Sequence, residues 1–177
     1  FEYEHGSIDQ LIIAIKTNPF CPEVRQLSLL LAEVIKDAYQ DSAMPEVIIP
    51  VPLHWRTILK RGFNQTDGIA IALAQCFTPL ELCNNLCFRQ HHSIPQHLKT
   101  KRQRFKGMQN AFAIRSDREG SFARRSVYSR FLEDKTVAIV DDVVTTGATS
   151  SALATVLINA GAKNVDVWAI ARTGWHI

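Results

Sequence analysis

The chain has 177 residues, of which 46% are hydrophobic and 21% are charged, with 8 Gly and 7 Pro. This composition excludes a disordered or fibrous protein, and the length suits one domain with a hydrophobic core. No apolar run approaches the roughly 20 residues that a membrane-spanning helix needs, and no secretory signal is visible. We therefore expect a single cytoplasmic domain over residues 1–177, without a membrane span.

The charge is distributed unevenly along the chain. The net charge is +3, but residues 89–130 hold 11 Lys or Arg against 2 acidic residues. The remainder holds 9 basic and 15 acidic residues. A basic block within an acidic body indicates a polyanionic partner, either phosphorylated small molecules or nucleic acid, although a solvated loop can have the same composition.

Apolar periodicity predicts two helices near the start of the chain. The first begins at Ser7, and the second runs to about Tyr39. A short buried strand over residues 47–52 ends in prolines, which cannot continue a ladder. Asn64 and Thr66 are candidate caps of a third helix. The apolar face predicted for the second helix consists of Leu27, Leu30, Leu31, Val34 and Ile35.

The middle of the chain predicts less regular structure. Residues 82–89 have the composition of one strand, and residues 117–130 are polar and irregular, which predicts a loop. Cys83, Cys87 and His91 lie four residues apart, a spacing that invites a metal-site interpretation. No second paired cluster completes a tetrahedral set, so reduced thiols are the favoured interpretation.

The last third of the chain has the pattern of strand, helix and strand. Residues 136–140 form a β-branched run, the helix extends to Ala160 with Gly161 as its stop, and residues 165–170 form the final strand. Two strands joined by a helix indicate a parallel crossover. The alternation over the whole chain predicts an α/β fold with a mostly parallel sheet.

Acidic and hydroxyl side chains cluster between this strand and this helix. Ligands of open parallel sheets bind at the carboxyl ends of the strands, where Asp141 and Asp142 are expected. Carboxylates there can accept hydrogen bonds from ribose hydroxyls and help to hold Mg²⁺. The helix N-terminus that follows suits a phosphate group, and a glycine lets the backbone approach closely. A capped helix is the alternative, but a cap needs only one Thr or Asp. The turn consists of Thr145, Thr146, Gly147, Ala148 and Thr149.

Three segments resemble motifs of a known family. VAIVDDVVTTGAT (137–149) resembles the phosphoribosyl pyrophosphate (PRPP) binding motif of type I phosphoribosyltransferases. Residues 48–65 and 94–112 are similar to segments of the competence protein F (ComF) subfamily, and all three occur in the family's order. The resemblance implies a type I phosphoribosyltransferase-like fold: a mostly parallel twisted sheet flanked by helices, with a small hood and a mobile loop. Many relatives also carry a zinc module, which we expect to be absent from residues 1–177.

The resemblance also implies roles for particular residues. Asp141 and Asp142 are expected to contact ribose hydroxyls and Mg²⁺, and the turn at 145–149 to hold the 5′-phosphate. The turn at 52–56 is similar to the loop that faces pyrophosphate, and residues 96–110 are similar to the mobile loop that covers the site. His54 and Trp55 are interpreted as packing residues. The cations expected near pyrophosphate are Arg56, Lys60 and Arg61, for which a solvated basic turn is the alternative; the candidates in the mobile loop are Gln96, His97, Arg102 and Arg104.

Two functions of different classes follow from these patterns. The first is an enzyme that transfers phosphoribose from Mg²⁺-bound PRPP to a nitrogen nucleophile, or that binds a nucleotide monophosphate. The second is a non-catalytic competence or DNA-uptake protein that binds single-stranded DNA through its basic tract. A sensory domain that binds PRPP or a nucleotide is a third, weaker hypothesis. The motifs define neither the acceptor nor the oligomeric state.

Overall fold

The computed structural model describes residues 7–18, 21–90, 111–115 and 127–172. Its helices are α1 (Ser7–Thr17), α2 (Pro22–Ala38), α3 (Trp55–Arg61), α4 (Gln65–Cys76), α5 (Val127–Leu132) and α6 (Ala148–Asn159). Its strands are β1 (Val47–Pro50), β2 (Glu81–Leu82), β3 (Cys87–Arg89), β4 (Phe112–Ile114), β5 (Thr136–Val144) and β6 (Asn164–Arg172).

Four of the strands form a parallel sheet in the order β2–β1–β5–β6. The register of β1 on β5 places Val47 opposite Val137 and Pro50 opposite Val140. Because these two strands are adjacent and parallel, the segments that follow them begin at the same edge of the sheet. The strands β3 and β4 form a separate antiparallel pair. The predicted α/β fold with a mostly parallel sheet flanked by helices is confirmed.

Helices cover both faces of the sheet. Alternate residues of each strand point to opposite sides, and because both sets are apolar, both faces must be buried. One core contains Ile48, Ala138 and Val140 together with residues of α1, α2 and α4. The other contains Ile49 and Ile139 together with residues of α5, α6 and the β3–β4 pair. The result is three layers, and the carboxyl ends of β1 and β5 emerge between the two helical layers.

The buried face of α2 differs from the predicted one. Leu27 is 5% exposed, as expected, but Leu30 and Val34 are 52% and 61% exposed. The small residues Ser28 and Ala32 are buried instead, at 0% and 1% exposure. Apolar residues surround much of this helix, so periodicity could not show which side packs. Small side chains let α2 approach its neighbours closely, and the Ser28 hydroxyl donates to the carbonyl of Val24 at 2.7 Å.

The predicted single strand over residues 82–89 is wrong. The segment divides into β2 and β3, which belong to different sheets, with a turn at Asn84 and Asn85 between them. Asparagine favours turns because its side chain hydrogen-bonds nearby backbone. The loop predicted through Arg130 is also wrong at its end, because α5 begins at Val127.

Two details near the candidate site also differ from expectation. The strand β5 continues to Val144, so Asp141 and Asp142 lie within it and do not follow it. Asn64 stands at the N-cap position of α4, but its side chain makes no capping hydrogen bond. Its amide donates to the carbonyl of Val51 at 3.1 Å and to Asp67 at 3.0 Å, which ties the start of α4 to the end of β1.

Several expectations lie beyond the described residues or are untested. Five candidates lie outside the described residues: His91 and the mobile-loop residues Gln96, His97, Arg102 and Arg104. The small hood expected from the resemblance remains a prediction. Within the described part of the chain, no helix is long and apolar enough to cross a membrane.

Leu27→Ala and Leu30→Ala are a matched test of the observed α2 face. Removing the buried Leu27 side chain should lower the free energy of unfolding by about 2–5 kcal/mol. Removing the half-exposed Leu30 side chain should lower it by less than about 1 kcal/mol. Urea denaturation of both variants measures the difference, and equal losses would contradict the observed orientation of the helix.

Candidate active site

The turn between β5 and α6 depends on one glycine for its backbone conformation. Gly147 occupies the N-cap position of α6 with a φ of 71°. This left-handed conformation is unfavourable for residues that carry a Cβ atom and is accessible to glycine. A Cβ at this position would meet no heavy atom of the described residues within 4 Å. The backbone angle therefore explains the glycine, and crowding by a protein neighbour does not. The amide of Ala148 lies 3.4 Å from the Thr146 hydroxyl within the turn.

A small cavity of about 30 Å³ lies between this turn and β5. Ser150 lines it, and this side chain is only 4% exposed. Its hydroxyl has no hydrogen-bond partner among the residues that the structure describes. A buried hydroxyl without a partner costs about 1–3 kcal/mol, so the cavity suits an acceptor group that would bind it. The remaining lining residues are Asp141, Val143, Val144, Thr145, Gly147, Ala148 and Thr149.

Asp142 is held by side chains from two helices. Its Oδ2 accepts a hydrogen bond from Gln65 Nε2 at 3.0 Å and forms an ion pair with Lys16 Nζ at 3.3 Å. Its Oδ1 accepts from the amide of Val143 at 2.9 Å. Burial by itself would raise the pKa of Asp142, but the charge of Lys16 and these hydrogen bonds hold it below its usual value. Asp142 is therefore negatively charged at neutral pH.

Asp141 is equally buried but lacks such support. Its Oδ1 accepts a hydrogen bond from the amide of Asp142 at 2.9 Å. Burial, followed by the negative charge of Asp142, raises the pKa of Asp141 to about 7. The two neighbouring carboxyl groups thus differ in charge state near neutral pH, because one has a cationic partner and the other mainly has an anionic one.

Of the three predicted cations, only Arg61 is linked to the acid pair. Its Nη1 donates to Gln65 Oε1 at 2.7 Å, and Gln65 in turn donates to Asp142. Arg56 and Lys60 are exposed on α3, and neither contacts the acid pair in the described part of the chain. Arg56 instead places its guanidinium carbon 5.3 Å from the centre of the Trp55 ring.

The sequence interpretation missed the partners of the acid pair and the buried hydroxyl. Gln65 could have been suspected, since a polar residue among buried neighbours needs a partner. Ser150 extends the run of hydroxyl residues into the first turn of α6, which was a usable signal. Nothing in the sequence indicates Lys16, because it lies far from Asp142 along the chain.

The interpretation of His54 and Trp55 as packing residues applies to their contact with each other, with ring centres 5.8 Å apart, and not to the cores. His54 Nδ1 accepts a hydrogen bond from the amide of Arg56 at 3.2 Å and so caps α3. Trp55 is 47% exposed and is therefore not part of either core.

The donor set at Asp141 and Asp142 fits Mg²⁺ better than a metal that needs a complete protein cage. No group of three or more His, Cys, Asp or Glu residues arranged for metal binding occurs within residues 7–18, 21–90, 111–115 and 127–172. Mg²⁺ keeps several waters and binds proteins through one or two carboxylates together with substrate phosphates. A cation here would also offset the repulsion between the two carboxyl groups.

Known proteins resemble the chain over most of its length. Competence protein F of Haemophilus influenzae is 31% identical over 150 residues, which cover 84% of this chain and 60% of that protein. DNA utilization protein YhgH of Escherichia coli K12 is 32% identical over 146 residues, covering 82% and 58%. Over these residues the chain belongs to the competence protein F family. It spans less than two thirds of the length of these relatives, and no family model matches it.

Some solved structures also resemble this chain. The glutamine PRPP amidotransferase of B. subtilis is 19% identical with a TM-score of 0.49, over 83% of this chain and 26% of that one. The purine phosphoribosyltransferase of Pyrococcus horikoshii is 20% identical with a TM-score of 0.48, over 86% and 75%. At such identities and TM-scores, these similarities do not indicate what this chain does.

The raised pKa of Asp141 predicts a loss of stability as the pH rises. Between the usual pKa of an aspartate, 3.8, and about 7, the folded state binds a proton that the unfolded state has released. The free energy of unfolding should therefore fall across this range. Asp141→Asn, which keeps the acceptor for the amide of Asp142, should flatten this fall and be more stable than the parent at about pH 8.

Chemical denaturation at about pH 5 and pH 8 measures this effect. Asp41→Asn is the matched control, because Asp41 is exposed and distant from the acid pair in sequence. A parent protein whose stability is constant over that range would contradict the inferred environment of Asp141.

Proposed function

We propose that the protein binds PRPP or a nucleotide through its 5′-phosphate at the turn over residues 145–149, and transfers phosphoribose to a nitrogen nucleophile. The observation that carries the proposal is the buried Ser150 hydroxyl, which has no partner within the part of the chain that the structure describes. It lines a cavity whose other walls are the first turn of α6 and Asp141. A phosphate oxygen would accept from this hydroxyl and from the backbone amides at the helix N-terminus.

The acid pair is the second support for the proposal. Asp141 lines the same cavity, and Asp142 is next to it in the strand. Carboxylates at this position would accept hydrogen bonds from the ribose hydroxyls and so fix the sugar relative to its phosphate. Asp142 is already oriented by Gln65 and Lys16, so little ordering would remain to be done on binding.

The chain's own residues would assist the reaction by orientation and electrostatics. When the bond from ribose C1 to pyrophosphate breaks, positive charge develops on the sugar and negative charge on the leaving group. Asp142, kept ionised, would face the sugar. Arg61, which donates to Gln65 and through it is linked to Asp142, would supply positive charge towards the leaving group. Mg²⁺ held by Asp141 and Asp142 would neutralise charge on pyrophosphate. The mechanism requires no covalent nucleophile from the protein.

Ser150→Ala should weaken ligand binding without lowering the free energy of unfolding. Removing the unpaired hydroxyl should leave the free energy of unfolding of the ligand-free protein unchanged or raise it by about 1 kcal/mol. The same change should weaken the binding of ribose 5-phosphate about tenfold, because a donor to the phosphate is lost. Calorimetry and urea denaturation measure the two effects.

The neighbouring Ser151 provides a matched control. It is exposed, and Ser151→Ala should alter neither quantity measurably. Ribose 5-phosphate that binds equally to the parent and to Ser150→Ala would place the phosphate elsewhere.

The acid pair is tested with PRPP itself. Asp141→Asn and Asp142→Asn should each bind PRPP with Mg²⁺ at least tenfold more weakly, since each loses an anionic acceptor for hydroxyl groups and metal. Pyrophosphate release in the presence of nitrogen bases reports transfer. Unchanged calorimetric affinity in both variants would show that the acid pair does not contact PRPP.

DNA binding is a second candidate function, favoured by the names of the relatives and by the basic tract at residues 89–130. One relative is named for competence and the other for DNA utilization. Single-stranded DNA should bind with an affinity that falls steeply with salt, and changing Lys99, Lys101, Arg102 and Arg104 to Gln should reduce that slope. These four residues lie outside the described ranges. Binding that is indifferent to both salt and these changes would exclude this function.

A further inference from the structure

A second, larger cavity lies beside the segments that follow β1 and β2. Its volume is about 480 Å³, which is within the usual range for small-molecule sites. The residues that matter for its chemistry are Trp55, Asn84, Asn85, Phe88, Arg89 and Arg115. They come from α3, from the turn between β2 and β3, and from the β3–β4 pair and the residue after it.

This cavity is separate from the one at the turn over residues 145–149. In the sheet order β2–β1–β5–β6, the turn follows β5, whereas the larger cavity is flanked by the ends of β1 and β2. The lining residues described for the two cavities do not overlap. A ligand in the larger cavity would therefore not need the phosphate turn.

Two partly exposed aromatic rings line the larger cavity from different elements. Trp55 on α3 is 47% exposed and Phe88 on β3 is 38% exposed. The Arg56 guanidinium carbon lies 5.3 Å from the centre of the Trp55 ring and the His54 ring 5.8 Å from it. A planar ligand could cover the apolar surface that remains exposed on Trp55 and Phe88. Stacking on aromatic side chains is worth about 1–3 kcal/mol per nucleobase, so the pair suits a flat heterocycle.

The polar groups of the cavity favour a heterocycle with both donors and acceptors. The amides of Asn84 and Asn85 each offer an N–H donor and a carbonyl acceptor. A pure hydrocarbon ring would bury these amides without partners, at a cost in free energy. A nucleobase edge supplies the complementary groups.

The charged groups favour an anion attached to that ring. Arg89 and Arg115 both line the cavity, and guanidinium groups bind phosphate through paired hydrogen bonds. The one acidic residue of the described lining is Asp67, whose Oδ1 already accepts a hydrogen bond from the Asn64 amide at 3.0 Å. Burial raises the pKa of Asp67, whereas this hydrogen bond lowers it.

We propose that this cavity is a separate binding site for a nucleoside monophosphate, whose base stacks on Trp55 and Phe88 and whose phosphate pairs with Arg89 and Arg115. No residue of the phosphate turn or the acid pair lines this cavity, but Pro52, Leu53 and Trp55 do, and they belong to the turn expected to face pyrophosphate. A cavity volume of about 480 Å³ accommodates a free nucleotide.

AMP carries a 5′-phosphate and, by the proposed function, can also bind at the phosphate turn. The quench of Trp55 fluorescence by AMP therefore reports the larger cavity, and the binding of ribose 5-phosphate reports the turn. AMP should quench the fluorescence of the parent protein by stacking on Trp55, and Trp55→Phe should bind AMP without that quench. Phe88→Ala and Arg115→Gln should each raise the AMP concentration needed for half of the quench at least tenfold and leave the calorimetric affinity for ribose 5-phosphate unaffected. Ser150→Ala should weaken ribose 5-phosphate and leave the AMP quench in place.

Two controls protect this test from trivial explanations. Leu59→Ala changes a residue of α3 that is 75% exposed and is not among the lining residues described, so AMP binding should be unchanged. Phe88→Tyr keeps an aromatic face and should retain the quench by AMP. Unchanged binding of ribose 5-phosphate by Phe88→Ala shows that its loss of AMP is not loss of folding.

Three results would overturn the proposal. The first is no quench of the parent by AMP, and the second is a quench whose dependence on AMP concentration Phe88→Ala and Arg115→Gln leave unchanged. The third is displacement of AMP by a single-stranded oligonucleotide at a lower nucleotide concentration, which would assign the cavity to a nucleic-acid strand. Loss of ribose 5-phosphate binding alone would bear only on the proposed transferase function.

Discussion

The ion pair between Lys16 and Asp142 connects the first helix to the central strand of the molecule. A carboxylate that is only 7% exposed is costly unless it is paired, and Asp142 has Lys16 at 3.3 Å and Gln65 at 3.0 Å. These partners come from α1 and α4, so the charge on β5 depends on the packing of two helices against one face of the sheet. Arg61 extends the same network to α3 through Gln65. The orientation of Asp142 is thus a property of the tertiary fold and not of the strand that carries it.

The parallel register of β1 and β5 is the constraint that brings the rest of the site together. Pro50 lies opposite Val140, so the next residues of both strands leave the sheet at the same edge. The carbonyl of Val51 accepts from Asn64 at 3.1 Å and from Thr66 at 3.0 Å, which fixes the start of α4 beside that edge. Gln65, between these two residues, is placed within reach of Asp142 as a consequence. The larger cavity depends on the same edge, since the segments after β1 and β2 form two of its walls.

Local departures from the most stable arrangement are concentrated between Asp141 and Ser150. Gly147 has a positive φ, Ser150 has a buried hydroxyl without a partner in the described residues, and burial beside Asp142 raises the pKa of Asp141. The unpaired hydroxyl and the buried acid pair cost stability in the absence of a ligand, whereas glycine adopts its positive φ without strain. Such costs cluster where a protein binds ligands, because groups that would satisfy a ligand are unsatisfied without it. This clustering supports the choice of the turn as the phosphate site.

The sequence by itself determined the α/β class, most of the longer helices and strands, and the clustering of Asp141, Asp142 and the threonine turn. These features are local: apolar periodicity, β-branched runs and a glycine after a strand act within a few residues of one another. Only the tertiary structure decided which face of α2 is buried, that residues 82–89 divide between two sheets, and that Lys16 and Gln65 hold Asp142. Burial and ion pairing join residues far apart in the chain, and their free energies depend on the neighbours that packing supplies. No pattern within a single segment contains that information.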